Sequence, residues 1–417
     1  MTATLDAYAP FVGAATIEEL RLLGDRLRGR TVQNINSTAV GGGVAEILSR
    51  LVPLLREVGV DARWDVMRGG EAFFAVTKKL HNALHGEPVS LTREDMDVFR
   101  ETTEENLRTL ELGHDLVFVH DPQPVQLVGA RRPGSRWIWR CHIDLSGPAP
   151  DAWEFLRPWV ERYDAAVFSA PQFTRAVPID QVLISPSIDP LADKNRELDA
   201  ATVESVVTGL GIDPSRPLVT QVSRFDRLKD PLGVIDAYRL LRRYNDCQLL
   251  LVGGSATDDP EGSLVLAECR ERAGSDPDVH VVELPPTANL EINALQRAST
   301  VIVQKSLREG FGLTVAEALW KGKPVIAGAV GGIPLQITHK YSGILTHTIE
   351  GTAYWIKQLL NAPDFARRLG ENGREHVRWN FLLTRHLRDY LLLFLSLDRP
   401  GESLVQFPAA DGAPGGC

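Results

Sequence analysis

The sequence lacks any apolar run that could cross a bilayer. Its longest apolar stretch, YLLLFLSL at 390–397, is far shorter than the roughly 20 residues that a spanning helix needs. The first twenty residues contain no basic segment followed by an apolar core, so the sequence does not predict a secretory leader. We therefore expect a cytoplasmic protein with no membrane partner.

Cysteine is also scarce, with four residues far apart in the chain: Cys141, Cys247, Cys269 and Cys417. They form no CxxC pair, and no histidines cluster at the spacing of metal ligands. We expect reduced thiols, no metal site and no tightly bound cofactor. Stimulation by a divalent ion such as magnesium stays open, because it would require no dedicated motif.

Excess positive charge is absent as well. The chain has 45 Lys and Arg against 54 Asp and Glu, a net charge of -9, which gives no electrostatic footprint for nucleic acid. Its 417 residues, 44% of them hydrophobic, are enough for two globular domains. The expected partners are therefore small molecules.

Short apolar runs alternate with amphipathic helical patterns, which is typical of parallel sheets covered by helices. The strand candidates of the first half are TVQNINS (31–37), DARWDVM (61–67), DLVFVHD (115–121), RWIWRCHID (136–144), AAVFSA (165–170) and VLISPS (182–187). Those of the second half are PLVTQVSR (217–224), CQLLLVGG (247–254), VHVVEL (279–284), TVIVQKS (300–306) and PVIAGAV (324–330). The fold class predicted is α/β.

This pattern predicts two doubly wound, Rossmann-like domains, 1–190 and 191–380, that face a central cleft. A helical segment at 381–397 is expected to pack back on the first domain. The Gly-, Pro- and Ala-rich end, 399–417, is expected to be a loose tail. Substrates should bind in the cleft, at the carboxyl ends of the strands.

A glycine-rich turn, STAVGGGVAEIL at 37–48, follows the first strand and opens a helix. Consecutive glycines allow a ligand to approach the backbone closely, and the helix N-terminus favours a phosphate. A tight strand-to-helix turn that binds no ligand would account for the same glycine-rich segment. The spacing matches neither a GxGxxG fingerprint nor a Walker loop.

Two further motifs follow strands of the second half. SRFDRLK places Arg224 and Lys229 after its first strand, where two cations would neutralise a leaving diphosphate. REGFGLTVAE at 308–317 places Glu309 on a loop and Glu317 two turns into a helix, so each carboxylate could hold sugar or ribose hydroxyls. Exposed loop cations, a helix cap and a solvated glutamate are the alternatives.

These motifs, with AGAVGGIPLQI at 327–337, resemble the retaining glycosyltransferases of the GT-B fold and GT4 type. In the first half, NINSTAVGGGVAEIL, WDVMRGGEAFFAVTKKLHNALHG, VHDPQP and WIWRCHIDLS resemble the trehalose synthases that join an NDP-glucose to free glucose. Retaining trehalose phosphorylases share much of this pattern, so the choice between the two activities stays open.

The resemblance implies a donor site with His142 beside the reacting centre, where its main-chain carbonyl or ring would be used. Arg224 and Lys229 would bind the diphosphate, Glu309 the transferred glucose and Glu317 the ribose. The other implied donor-binding residues are Gly42, Gly43, Gly310, Phe311, Gly312, Leu313 and Thr314.

An acceptor site needs polar groups and an aromatic wall. The candidates are Trp64, Glu71, Lys78, Asn82, Asp121 and Gln123, with His81 beside them. Each of these residues could equally be a surface-loop residue or a half-buried aromatic with no role in binding. Adjacent basic pairs are few, which favours free glucose over a phosphorylated acceptor.

The mechanism implied is front-face substitution with NDP-glucose as co-substrate, glucose and trehalose as the other small molecules, and no catalytic metal. The nucleobase is open among UDP, ADP and GDP. The oligomeric state is open as well, with a homodimer as one alternative. A trehalose phosphorylase, and a sugar-nucleotide-binding protein without turnover, are the competing interpretations.

Overall fold

A computed structural model describes residues 4–39, 43–254 and 260–398. Within them the chain forms two parallel sheets of six strands each, in the orders β2-β1-β3-β4-β5-β6 and β12-β11-β10-β7-β8-β9. The strands are β1 (Thr31–Asn36), β2 (Asp61–Val66), β3 (Leu116–His120), β4 (Arg136–Cys141), β5 (Ala165–Phe168), β6 (Asp180–Leu183), β7 (Leu218–Val222), β8 (Gln248–Gly253), β9 (Val279–Glu283), β10 (Val301–Gln304), β11 (Val325–Gly328) and β12 (Ile344–Thr346). The predicted two-domain α/β fold is therefore confirmed.

Helices cover both faces of each sheet. They are α1 (Ala9–Val12), α2 (Ala14–Arg26), α3 (Gly43–Glu57), α4 (Glu71–Leu84), α5 (Arg93–Thr109), α6 (Pro150–Val160), α7 (Ala200–Gly209), α8 (Pro231–Leu241), α9 (Pro260–Ala273), α10 (Asn289–Ala298), α11 (Leu313–Trp320), α12 (Ile333–Gln336), α13 (Ile349–Asn361), α14 (Pro363–Asn380) and α15 (Leu383–Asp398). Short 3₁₀ turns lie at Leu5–Tyr8, Val125–Ala130, Pro171–Phe173 and Arg227–Lys229. None of the helices in the described ranges combines the length and apolarity needed to cross a membrane.

The strand order reverses once in each sheet, between β1 and β3 and between β7 and β10. Parallel α/β sheets bind ligands at such reversals, outside the carboxyl ends of the strands, because the connections to either side diverge there and leave a crevice. The loops after these four strands carry many of the candidate residues, among them Asp121, Lys229 and Glu309, whereas His142 follows the neighbouring strand β4. The topology thus selects the same segments as the motifs, independently of any resemblance.

The last helix, α15, lies against the first sheet although it follows the second in sequence. Its residues Leu387 and Phe394 belong to the same buried cluster as Val32 and Phe118, and the rings of Phe118 and Phe394 are 5.8 Å apart. Burial of this apolar face holds the C-terminal helix on the first domain. The domain limits at 190 and 191 stay predictions.

Two edge strands differ from the sequence expectation. The strand predicted at 182–187 begins and ends earlier, as β6 at Asp180–Leu183, and its side chains are largely exposed. Ile184 and Ile188 lie beyond the end of β6 and belong to two different hydrophobic clusters. β12 was not predicted, because three residues are too few for a recognisable apolar run. The expected loose tail, 399–417, lies outside the described residues.

Candidate active site

Loops at the carboxyl ends of the strands of the two domains come into direct contact. A Cβ atom built on Gly310, after β10, would lie 3.2 Å from the carbonyl oxygen of His142, after β4. The Gln172 side-chain amide, in the first domain, donates a 2.7 Å hydrogen bond to the Gly331 carbonyl in the second. The predicted donor loop and the predicted catalytic histidine therefore face each other across the domain boundary.

Lys229 and Glu309, predicted separately, form an ion pair. Lys229 Nζ lies 2.7 Å from Glu309 Oε2, and their side chains are only 17% and 10% exposed. The same carboxylate oxygen accepts a 3.1 Å hydrogen bond from Ser306 Oγ. Lys229 ends a 3₁₀ turn whose first residue follows Asp226, and the Asp226 side chain accepts a hydrogen bond from the Lys229 backbone N–H. The ammonium group is thus fixed at the cleft by local structure.

Arg224 lies beside this pair but is far more accessible. Its Nη2 is 3.0 Å from Asp226 Oδ2, and 60% of its side chain is exposed. The buried Asp226 carboxylate therefore contacts both predicted cations: it accepts a hydrogen bond from the Lys229 backbone N–H and pairs with the Arg224 guanidinium group. Sequence reasoning missed this aspartate although it lies within the SRFDRLK motif, because a capping role cannot be read from composition.

The loop between β10 and α11 and the segment after β11 that packs on it each need a glycine. Gly312 has φ 83°, in the left-handed region, and it precedes the first residue of α11. At Gly331, where φ is 53°, a Cβ would overlap the Glu309 carbonyl oxygen at 1.6 Å. Close packing of the AVGGI segment against this loop therefore sets the direction of Glu309.

Some of the remaining residues around this loop pack in the protein interior, and others lie at the cleft. The Phe311 ring is buried and lies 5.4 Å from the Phe381 ring, so only its backbone is available to a ligand. Leu313 approaches the position of a Cβ on Gly43 at 3.4 Å, which brings the start of α11 to the start of α3. Thr314 Oγ1 donates a 3.4 Å hydrogen bond to Gln304. Gly42, the other glycine implied at the donor phosphates, lies outside the described residues.

Glu317 is the fifth residue of α11, little more than one turn into the helix and not the two turns expected from the sequence, and it is only 3% exposed. Burial raises the pKa of its carboxyl group, and Lys194 and Lys321 oppose this rise by their charge. Lys194 also donates a 2.9 Å hydrogen bond to Glu46 on α3. Neither Lys194 nor Glu46 was identified from the sequence, because no spacing links positions so far apart.

His142 is held by a chain of polar groups. Asn34 Oδ1 is 3.1 Å from His120 Nε2, and His120 Nδ1 is 3.3 Å from His142 Nε2. Burial lowers the pKa of both imidazoles, that of His120 to about 3, so both rings are neutral. Because an amide oxygen only accepts, His120 donates to Asn34 through Nε2 and accepts from His142 Nε2. The Nδ1 atom of His142 is then a hydrogen-bond acceptor.

Asp121 belongs to the same corner of the first sheet. It has φ 67° directly after β3, and its Oδ1 accepts a 2.8 Å hydrogen bond from the His142 backbone N–H. Burial raises the pKa of Asp121 to about 6, against the lowering effects of that hydrogen bond and of the Arg140 charge. This residue therefore ties the predicted acceptor site to the predicted catalytic histidine.

The other acceptor candidates are less closely grouped. Glu71 is exposed at the first position of α4, and Lys78 is exposed on the same helix. Asn82 lies half-buried near its end. The Trp64 indole N–H donates a 2.8 Å hydrogen bond to Asn36, and Gln123 is half-buried in the turn after β3. Their roles stay predictions.

The end of α4 contributes a residue that sequence reasoning overlooked. Burial lowers the pKa of His85, and Lys229 and Arg308 in the second domain act in the same direction. A Cβ on Gly86 would lie 2.9 Å from Arg308 Nη1, so this guanidinium group reaches the first domain.

Among the described residues no three His, Cys, Asp or Glu are grouped as metal ligands would be.

Comparisons with known proteins agree with this geometry. Residues 34–175 match a family model described as "Trehalose synthase, N-terminal domain", and residues 205–376 match one described as "Glycosyl transferases group 1". The trehalose synthase of Rubrobacter xylanophilus is 48% identical over 400 residues, which cover 94% of this chain and 96% of that protein.

More distant proteins share part of these features. The trehalose phosphorylase of Pleurotus pulmonarius is 32% identical, with 89% of this chain and 58% of that protein covered. The solved structure of a sucrose-phosphate synthase from Thermosynechococcus elongatus superposes with a TM-score of 0.69 at 20% identity, over 88% of this chain and 99% of that one. The resemblance stated from the motifs is thus confirmed: the chain belongs to the trehalose synthase family of group 1 glycosyltransferases, and its two facing α/β domains form the GT-B fold.

Proposed function

We propose that this protein is a retaining glycosyltransferase that moves glucose from an NDP-glucose to free glucose and releases trehalose and NDP. The observation that carries this proposal is the Lys229–Glu309 ion pair at the cleft, opposite the His142 carbonyl. A cation for a leaving diphosphate and a carboxylate for sugar hydroxyls are there held in one unit. The 48% identity to a trehalose synthase supports the same assignment.

Each donor fragment has a group of suitable chemistry. Lys229 and Arg224 are two positive charges at the carboxyl ends of the second sheet, where a diphosphate would develop charge as it leaves. Glu309 would accept hydrogen bonds from glucose hydroxyls, and Glu317 from the ribose. The N-terminus of α11 would add backbone N–H groups and the positive end of its dipole.

Transfer with retention needs no enzymic nucleophile on this proposal. The bond between the donor C1 and the phosphate oxygen breaks, and the acceptor 1-hydroxyl oxygen bonds to C1 from the same face. The acceptor proton passes to the departing phosphate oxygen, so the products are trehalose and NDP. Preorganised charge at Lys229 and Arg224 would stabilise the transition state, in which the sugar carries positive and the diphosphate negative charge.

The acceptor would lie on the first-domain side. Asp121 and the neutral His142 ring, whose Nδ1 accepts hydrogen bonds, provide acceptors for glucose hydroxyls at the end of β3 and β4. The other candidates on α4 and near β2 would complete this site. Free glucose would need such hydrogen-bonding groups and no cluster of cations.

An end-point assay tests the proposal. Purified protein is incubated with glucose and UDP-, ADP- or GDP-glucose, and trehalose is measured; a parallel sample contains trehalose and inorganic phosphate. Trehalose in a nucleotide sample supports the proposal and names the donor, with or without added Mg²⁺. Absence of trehalose from all three nucleotide samples would refute it.

The second candidate is a retaining trehalose phosphorylase, favoured by the 32% identity to enzymes of that name. Inorganic phosphate would then occupy the place of the diphosphate beside the same cations. Glucose 1-phosphate in the phosphate sample alone would establish this activity. A binding protein without turnover would give neither product, although it would still bind a sugar nucleotide.

A further inference from the structure

The buried carboxylate of Glu317 needs compensating charge. The group is 3% exposed, and a buried ionised carboxylate is costly unless charges or hydrogen bonds balance it. Burial raises the pKa of Glu317; Lys194 and Lys321 lower it, as does a hydrogen bond to Gln296, while Glu46 raises it further. Whether Glu317 can accept hydrogen bonds from a ribose depends on these neighbours.

Lys321 is a poor candidate for this task. Its Nζ donates hydrogen bonds to Asn195 Oδ1 at 3.1 Å and to the backbone carbonyl of Glu317 at 3.2 Å, so neither bond reaches the Glu317 carboxylate. Burial lowers the pKa of Lys321 to about 7 despite the charge of Glu317. Of the two lysines, Lys194 has the larger effect in lowering the pKa of Glu317.

Lys194 is placed by a firmly attached segment between the two sheets. Asn293 on α10 donates 2.8 Å hydrogen bonds to the carbonyl groups of Asp193 and Arg196, one on each side of Lys194. Lys194 Nζ in turn donates 2.9 Å to Glu46 Oε2 in the first turn of α3. The backbone of Lys194 is therefore anchored to the second domain while its ammonium group reaches the first.

We infer that Lys194 is a positioning residue for the donor ribose. Its ammonium group donates a hydrogen bond to Glu46, and its positive charge favours the ionised form of Glu317, which can then accept hydrogen bonds from ribose hydroxyls. This inference rests on the proposed function, since it assigns Glu317 to an NDP-sugar. It also explains why an exposed glutamate of α3 and a linker lysine meet at a site otherwise built from the second domain.

The Lys194→Met variant tests this directly. Loss of the lysine should raise the donor KM about tenfold, as expected when a hydrogen bond to a charged group is weakened, while kcat changes less than about threefold. Lys194→Arg should restore most of the donor affinity, because it returns the charge. Lys79→Met is the matched control: Lys79 forms a 2.9 Å pair with Asp95, on α5, and its loss should leave the donor KM unchanged.

The decisive comparison uses a donor without the ribose hydroxyls. With a 2′,3′-dideoxy NDP-glucose the KM values of wild type and Lys194→Met should coincide, because Glu317 then has nothing to bind. An equal rise in KM for both donors would mean that the lysine only maintains the fold, and would overturn the inference. An unchanged KM for the natural donor would overturn it as well.

Calorimetric binding of UDP, ADP and GDP separates this inference from the proposed function, because it needs no acceptor and no turnover. If wild type binds one nucleotide tightly and Lys194→Met binds it about tenfold more weakly, the inference holds even when no trehalose forms. If wild type makes trehalose but the variant binds the nucleotide equally well, the inference fails and the proposed function stands. If wild type binds none of the three, both fail.

Discussion

Replacing Lys229 with methionine should affect catalysis and stability by separable amounts. Removal of one preorganised group that stabilises transition-state charge typically lowers kcat by about a hundred- to a thousandfold. Truncating one partner of a buried pair costs about 3–5 kcal/mol of unfolding free energy. Here the two side chains retain 17% and 10% exposure, and Ser306 still donates to Glu309, so we expect a smaller loss of about 1–3 kcal/mol.

The double variant Lys229→Met/Glu309→Gln distinguishes the two effects. Neutralising Glu309 removes the stranded charge, so the free energy of unfolding should recover part of the loss, whereas the transfer rate should stay at or below that of Lys229→Met. Both quantities are measured on the same preparations, by initial rates at saturating donor and by denaturant unfolding. Lys79→Met serves again as a lysine-pair control and should keep the wild-type kcat.

Two outcomes would refute this reasoning. If Lys229→Met keeps a kcat within about threefold of wild type, the diphosphate does not depend on this cation. If the double variant regains activity together with stability, Lys229 acts only by compensating the negative charge of Glu309. The positive charge that stabilises the leaving diphosphate must then come from another residue.

Further variants test the rest of the site. Arg224→Ala should lower the transfer rate by orders of magnitude with little change in unfolding, since its side chain is 60% exposed; a near-wild-type rate would contradict the diphosphate assignment. Glu309→Gln should reduce kcat at saturating donor more than Glu317→Gln does, and equal reductions would contradict the division between glucose and ribose. Gly310→Ala should displace the His142 carbonyl and reduce kcat, whereas Gly129→Ala, with open space around its Cβ, should not; matching rates would rule out a tight contact. Between pH 3.8 and about 6 the folded protein binds a proton at Asp121 that the unfolded chain has released, so this group makes the free energy of unfolding fall as pH rises through that window; Asp121→Asn should flatten this part of a pH series of denaturant titrations, and an unchanged slope would contradict it.

The sequence was sufficient for the repeating parts of this structure and for the residues within single motifs. Apolar strands such as β3 and β8 can be recognised from the sequence because both faces of a parallel sheet are buried. β12 did not, since a three-residue edge strand has too few positions for a pattern. Local signals therefore fix the interior of each sheet better than its edges.

Contacts between motifs lay beyond the sequence. Lys229 and Glu309 are 80 residues apart, and Lys194 and Glu46 are 148 apart, so no spacing rule joins them. Each pair forms because strand order brings separate loops to the same end of the sheets, a tertiary effect that a single sequence does not encode in its spacing. The motifs identified which residues matter, and only the fold revealed which of them act together.

The ion pairs at the cleft bear on how a charged donor enters it. Each cation assigned to the diphosphate already has a carboxylate partner, Asp226 for Arg224 and Glu309 for Lys229. On the proposed function, the diphosphate replaces Glu309 beside Lys229, and the glucose hydroxyls replace Lys229 beside Glu309. Both charges then exchange one polar partner for another, and neither is left buried without compensation, which would cost several kcal/mol. An exchange of this kind fits a donor that carries its anionic and hydroxyl-rich parts in one molecule, as an NDP-glucose does.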